Sequence, residues 1–131
     1  TALLANTRIV ELLMDWTPID DIGNFTANFS ASPTKVPRMR KYKIMGTEVW
    51  EYDGRIVASA FAVNTTLTMF NFDSGYRPTA EEGDTRYGAG TSHYGIRLGL
   101  MTSGALTASV PTASSSATQI WLGGFRILNP L

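Results

Sequence analysis

The chain contains no cysteine, which excludes disulfides, thiolate metal ligands and a cysteine nucleophile. His93 is its single histidine. That leaves little material for a histidine-centred triad, and without a second histidine or a tight carboxylate cluster no metal site is expected. Asp20-Asp21 and Glu81-Glu82-x-Asp84 match no EF-hand loop and read as solvated acidic runs. No apolar run reaches the length needed to span a membrane, so no membrane insertion is expected. Thr1 opens the chain without a basic, leader-like segment, and the missing initiator methionine reads as a piece of a longer protein. Charge is scarce: 11 basic residues balance 11 acidic ones, and charged residues make up 17% of the chain, against an ordinary share of about 25%. Nucleic-acid binders usually carry a clear basic excess, so nucleic acid is not an expected partner. The surface must instead rest on Ser, Thr, Asn and Gly, which present neutral hydrogen-bonding groups.

What is present is a globular pattern, with 44% hydrophobic residues among 131, enough for one domain with a single core. Residues 1–14 read as helix, because Leu3, Asn6, Val10 and Leu13 fall on one helical row. That row is either a short seam between copies, with Asn6 fixing the oligomeric state, or a helix packed on its own domain. Pro18 and Gly23 end it. From residue 24 the period changes to two. Phe25 and Phe29 fall on one face of a strand, and the two prolines within residues 32–37 make that stretch a loop. Residues 42–45 and 48–52 form a hairpin around Gly46-Thr47. Asp53-Gly54 gives the strongest hairpin signal and hands over to a strand through residues 55–63. Residues 66–72 make a further strand, rich in β-branched and aromatic side chains. Residues 73–90 read as a long connection, and strands follow at 94–101, 105–110, 118–122 and 124–128. Strands this short and this closely spaced predict an all-β fold, an antiparallel β-sandwich or jelly-roll-like barrel, with a short N-terminal helix.

Two places hold residues suited to a ligand. Trp50, Tyr52, Asp53 and Arg55 surround one turn. An aromatic plate beside a carboxylate and a guanidinium suits a sugar, whose C–H face stacks on the ring while its hydroxyls, or a phosphate, take hydrogen bonds. The alternative is that Trp50 and Tyr52 face the core and Asp53 only makes the turn. Arg86, Tyr87, His93 and Tyr94 lie in a glycine-spaced stretch that reads as a binding loop, although a lone histidine is often a hydrogen-bonded structural residue. Lys35, Arg38, Arg40, Lys41 and Lys43 concentrate positive charge. They either attract phosphate-bearing polymers or guard a strand edge. Trp121 and Phe125 read as core. Glu48, Glu51 and Asp53 offer carboxylates, but nothing singles out the pair that glycoside hydrolysis needs. The chain therefore reads as non-catalytic, with no cofactor.

Trp16, Tyr42-x-x-x-Gly46-x-x-Val49, Gly54-x-Ile56, Phe72-x-x-Gly75-Tyr76-Arg77-Pro78, Ser103-Gly104-Ala105-Leu106, Ile120-Trp121-Leu122 and Phe125 together resemble the C-terminal β-sandwich head of receptor-binding and tail-tip proteins of siphophages that infect Gram-positive, lactococcal or streptococcal, bacteria. The Gly-Tyr-Arg-Pro element is the most specific part, though Asp73-Ser74 precedes it where such heads commonly have a proline. The resemblance implies a helical neck or linker end over residues 1–15 and a receptor-binding head over 16–131. It also implies a homotrimer, location at the phage tail tip or baseplate beside other tail proteins, and host cell-wall polysaccharide as the partner. The alternatives are a structural tail or baseplate module that binds no glycan, and a glycan-degrading enzyme. Independently of family, Gly75 and Pro78 shape a turn on which Tyr76 packs.

Overall fold

The computed structural model describes residues 9–59, 65–89, 93–109 and 118–131. Within them the chain is all β. Its strands are β1 (Val10–Pro18), β2 (Gly23–Phe25), β3 (Phe29–Ala31), β4 (Arg38–Ile44), β5 (Thr47–Asp53), β6 (Arg55–Ala58), β7 (Thr66–Phe72), β8 (Glu82–Ala89), β9 (His93–Leu100), β10 (Ala105–Ser109), β11 (Gln119–Trp121) and β12 (Arg126–Leu128). Short 3-10 turns cover Ile19–Ile22 and Ser74–Tyr76. The strands form two antiparallel sheets, a four-stranded one ordered β1-β4-β5-β12 and an eight-stranded one ordered β2-β7-β10-β9-β8-β11-β6-β3.

The outermost strands of the larger sheet, β2 and β3, are neighbours in sequence. The Thr26 amide donates to the Met69 carbonyl at 3.1 Å, and the Ser59 amide donates to the Asn28 carbonyl at 2.9 Å. The turn between the rims is thereby tied to β7 and to the end of β6, and the sheet curls into a nearly closed barrel. Asn28 takes the left-handed conformation there, φ 76°, which asparagine tolerates better than most residues. The expectation of one continuous strand through residues 25–29 is thus corrected: the chain turns, and Phe25 and Phe29 belong to opposite rims.

Alternation along the strands decides what is buried. Ile96, Leu98 and Leu100 of β9, Leu106 and Ala108 of β10, and Phe70 and Phe72 of β7 join Met39, Trp50, Tyr52 and Ile127 of the smaller sheet in one core. The outer face of the smaller sheet carries a second apolar row. Leu12 registers with Tyr42, Tyr42 with Val49, and Val49 with Leu128. Tyr42 and Val49 are buried within the row, whereas Leu12 and Leu128 at its ends are 55% and 64% exposed.

The N-terminal helix is corrected over its described part. Val10 to Met14 lie in β1, in antiparallel register with β4 apart from an irregularity between Leu12 and Met14, because β4 offers backbone partners that outweigh a weak helical spacing. β1 runs from Val10 to Pro18. Residues 1–8 lie outside the described residues, as does the strand expected over 60–63. The long connection after Phe72 ends early, because residues 82–89 form β8 and pair with β9.

The Gly-Tyr-Arg-Pro element makes the turn that leaves β7, as expected. The Tyr76 amide donates to the Asp73 carbonyl at 3.0 Å, and Arg77 Nε donates to the Phe72 carbonyl at 3.1 Å. Lys41 of β4 locks the turn onto the smaller sheet: its Nζ donates to the Gly75 carbonyl at 2.8 Å and lies 4.3 Å from the Tyr76 ring centre and 4.6 Å from that of Trp50. Burial there lowers the Lys41 pKa, against the opposing charge of Glu48.

Candidate functional site

Strands switch sheets at corners, and three corners meet at one place. β5 passes into β6 through Asp53-Gly54, the loop of residues 32–37 carries β3 into β4, and residues 122–125 return β11 to β12. They are stitched by backbone bonds, Arg55 amide to Lys35 carbonyl at 2.8 Å and Leu122 amide to Gly54 carbonyl at 2.9 Å. Asp53-Gly54 is therefore not a hairpin turn; β5 and β6 belong to different sheets. Gly54 sits at φ 91°, and a Cβ there would lie 2.2 Å from the Val36 carbonyl oxygen, so neither the backbone angle nor the space admits a side chain.

Around this corner open two adjoining hollows. One, of about 250 Å³, is lined by Lys35, Asp53, Gly54, Arg55, Tyr87, Trp121 and Gly123. The other, of about 300 Å³, lies beside Thr34, Val36 and Arg38 and shares Lys35, Asp53 and Gly54. The wall of the first is built by register. Trp121 of β11 pairs with Arg55 of β6, and the Arg55 guanidinium lies 4.5 Å from the Trp121 ring centre while donating to Gln119 Oε1 at 3.3 Å. Tyr87 of β8 meets the Trp121 ring edge-on, with centroids 5.7 Å apart. Trp121 is half-buried and props Tyr87, which is 60% exposed. On the far side Arg38 holds Asp53, Nη2 to Oδ2 at 3.1 Å, and stacks 4.4 Å from the Trp16 ring centre.

The arrangement offers one open aromatic face, one carboxylate held half-exposed, and the cations of Lys35 and Arg55. That set can stack a ring's apolar face while donating to and accepting from hydroxyls. Among the described residues no cluster of three or more histidine, aspartate or glutamate side chains is placed to hold a metal.

Of the sequence-expected site residues, Asp53, Arg55 and Tyr87 come together here. Trp50 and Tyr52 do not. They are 0% and 1% exposed, because their strand positions face the larger sheet, and Trp50 Nε1 is committed to Glu48 Oε2 at 2.8 Å. Arg86 is separated from Tyr87 by strand alternation. It turns to the opposite face of β8, ion-pairs with Asp84 and lies against Gly124. His93 and Tyr94 open β9, and their side chains lie outside what is described. Of the segment expected to be a loop, the described residues lie in β8 and β9, which pair antiparallel. Trp121, expected in the core, lines the hollow. The signal was its place between the buried Ile120 and Leu122, since period two turns the middle residue outward. The basic cluster divides, with Lys35 and Arg38 lining the second hollow. Arg38 pairs with Asp53, Arg40 with Glu51, Lys41 seats the 74–76 turn, and Lys35 reaches the hollow.

No protein-family model matches the chain, and no curated protein does. Among solved structures, the chain is similar to the head domain of the lactococcal phage bIL170, described among the receptor-binding domains of lactococcal phages. The TM-score is 0.59 at 14% identity, over 90% of this chain and 98% of that domain. The two share a fold.

Proposed function

We propose that this domain is the receptor-binding head of a phage tail protein and that it holds a saccharide of a Gram-positive host's cell wall, without catalysis, in the hollow of Lys35, Asp53, Arg55, Tyr87 and Trp121. The observation that carries this is the exposed Tyr87 ring, propped by Trp121 beside one carboxylate and two cations. The fold shared with a phage receptor-binding head supports it. The hollow's lining contains one carboxylate, whereas glycoside hydrolysis ordinarily uses two, and this favours binding over cleavage. The apolar row Leu12-Tyr42-Val49-Leu128 on an outer face supports self-association, read here as a homotrimer at the tail tip or baseplate beside other tail proteins. Linking several weak sites raises avidity through effective concentration.

The test is calorimetric titration with purified host cell-wall polysaccharide, for wild type and Tyr87→Ala. The wild type is expected to bind, and the variant to bind roughly tenfold more weakly, the worth of about 1.4 kcal/mol of stacking, with its melting temperature unchanged. Equal affinity in both proteins would displace the site. No binding by wild type to polysaccharide or intact host cells would favour a structural tail module, and steady release of reducing ends would make the protein an enzyme.

A further inference from the structure

The larger sheet carries another hollow, of about 440 Å³, away from the corner. It lies over β7, β10, β9 and the start of β8. Because Ile96, Leu98 and Leu100 point inward, Gly95, Arg97 and Gly99 occupy the outward positions of β9. Register then builds two outward rows. Gly83, Gly99, Thr107 and Thr68 stand side by side, as do Thr85, Arg97, Ser109 and Thr66. The first row starts with two glycines, and the sheet is sunk there to bare backbone. At position 99 a Cβ would sit 2.8 Å from Thr107 Oγ1 and 2.9 Å from Met101 Cε, so the floor is kept low by close approach of its neighbours.

The walls are polar and only partly engaged. Thr107 Oγ1 donates to the Gly99 carbonyl at 3.3 Å, and the Thr66 and Ser109 hydroxyls lie 2.6 Å apart. A hydroxyl carries one donor and two acceptor positions, so these three keep capacity towards the hollow. Arg38, Arg40, Arg86 and Arg126 each ion-pair with a carboxylate. Arg97 is exposed and has no such partner among the described residues, although it lines this hollow with Glu81. Met101 adds one apolar wall.

We infer that this hollow is a second binding site for a polyhydroxylated ligand, a saccharide unit gripped by Arg97, Glu81 and the Thr66, Thr107 and Ser109 hydroxyls without an aromatic plate. The inference rests on the reading of the domain as a saccharide binder and adds a second point of grip. β11 and β10 are three strand steps apart in the larger sheet, roughly 14 Å at the usual strand spacing. One oligosaccharide crossing that interval engages both hollows, and the second contact forms at the effective concentration set by the first.

Amide shifts of the labelled protein, titrated separately with rhamnose, galactose, N-acetylglucosamine and glycerol 1-phosphate, test it. At least one probe is expected to move Gly83, Gly99 and Thr107, and Arg97→Ala to weaken that set about tenfold or more while shifts around Tyr87 and the Trp121 indole persist. Thr107→Val, which keeps shape and removes the hydroxyl, should weaken the same set. Shifts confined to the Tyr87 set overturn the second site and leave the proposed function standing. Shifts confined to the Gly83 set support it and remove the corner hollow. No shift in either set overturns both, and so would shifts at Gly83 that ignore Arg97→Ala overturn the assigned grip.

Discussion

At the residue scale, Tyr52 presents a direct test of what the core tolerates. Its ring stacks on Phe125 with centroids 5.1 Å apart and meets Phe72 edge-on, and its buried hydroxyl has no hydrogen-bond partner among the described residues. Burial pushes its ionisation well above that of an ordinary tyrosine. A buried, unmade hydrogen bond costs about 1–3 kcal/mol, so Tyr52→Phe is expected to hold or raise stability, by up to about 1 kcal/mol. Urea midpoints of the two proteins check this; a clear loss would mean that the hydroxyl is satisfied. Asp84 tests charge. Partial burial raises its pKa, but the hydrogen bonds from Arg86 and the Thr85 amide, with the Arg86 charge, more than offset that, and the net shift is downward. A carboxyl whose folded pKa lies below its unfolded value contributes stability above the unfolded pKa and loses it as pH falls through the folded one. Melting temperature is therefore expected to drop on acidification below about pH 4, and Asp84→Asn to remove part of that slope while melting lower near neutrality. At this scale the sequence singled out Asp53, Arg55 and Tyr87, which the fold brings to one hollow. Trp50 was not separable from them, because Val49 and Trp50 are both buried. With apolar residues on both faces of β5, alternation is silent about which face meets the core.

At the element scale, Gly54 governs the corner that shapes the hollow. Gly54→Ala is expected to destabilise by at least about 1–2 kcal/mol from the left-handed backbone alone, and by more once the Val36 carbonyl is displaced. It should also weaken saccharide binding, since Lys35, Asp53 and Arg55 are set by the same corner. Chemical unfolding and titration of one preparation measure both effects. Most strands could be placed from period and composition, and the misplaced ones share a cause. Asp53-Gly54 signals a tight change of direction, but a local signal does not say whether the next strand returns to the same sheet. β8 was hidden because its inward positions hold the Asp84–Arg86 pair, so it lacks the apolar alternation that marks a strand. The helical spacing around β1 was real in sequence. It lost to a partner strand, Val10 pairing with Ile44 and Pro18 with Arg38, which no short window contains.

At the scale of the whole molecule, the exposed ends of the outer apolar row, Leu12 and Leu128, are where the proposed association of copies is tested. Leu12→Ser combined with Leu128→Ser is expected to leave the fold and the single-site affinity intact and to convert an oligomer into monomers by sedimentation velocity. Adhesion to host cells should then fall by about 100-fold or more as avidity is lost. An unchanged sedimentation coefficient would move the interface elsewhere. All-β class and single-core organisation were legible in the pattern of short strands. The near closure of the larger sheet was not, because it depends on β2 and β3, three residues each, reaching opposite rims across one turn.

That closure has a consequence for handling the protein. A curled sheet whose rims are brief and tied together offers a foreign strand almost nothing to zip onto, and β12 is equally brief. Among the described residues the long border with a strand on one side only is the nine-residue β1, with the apolar Val10 and Leu12 along it. Fibrils or clumps in concentrated stocks should therefore grow from that border, and a lysine placed there would be the first remedy to try.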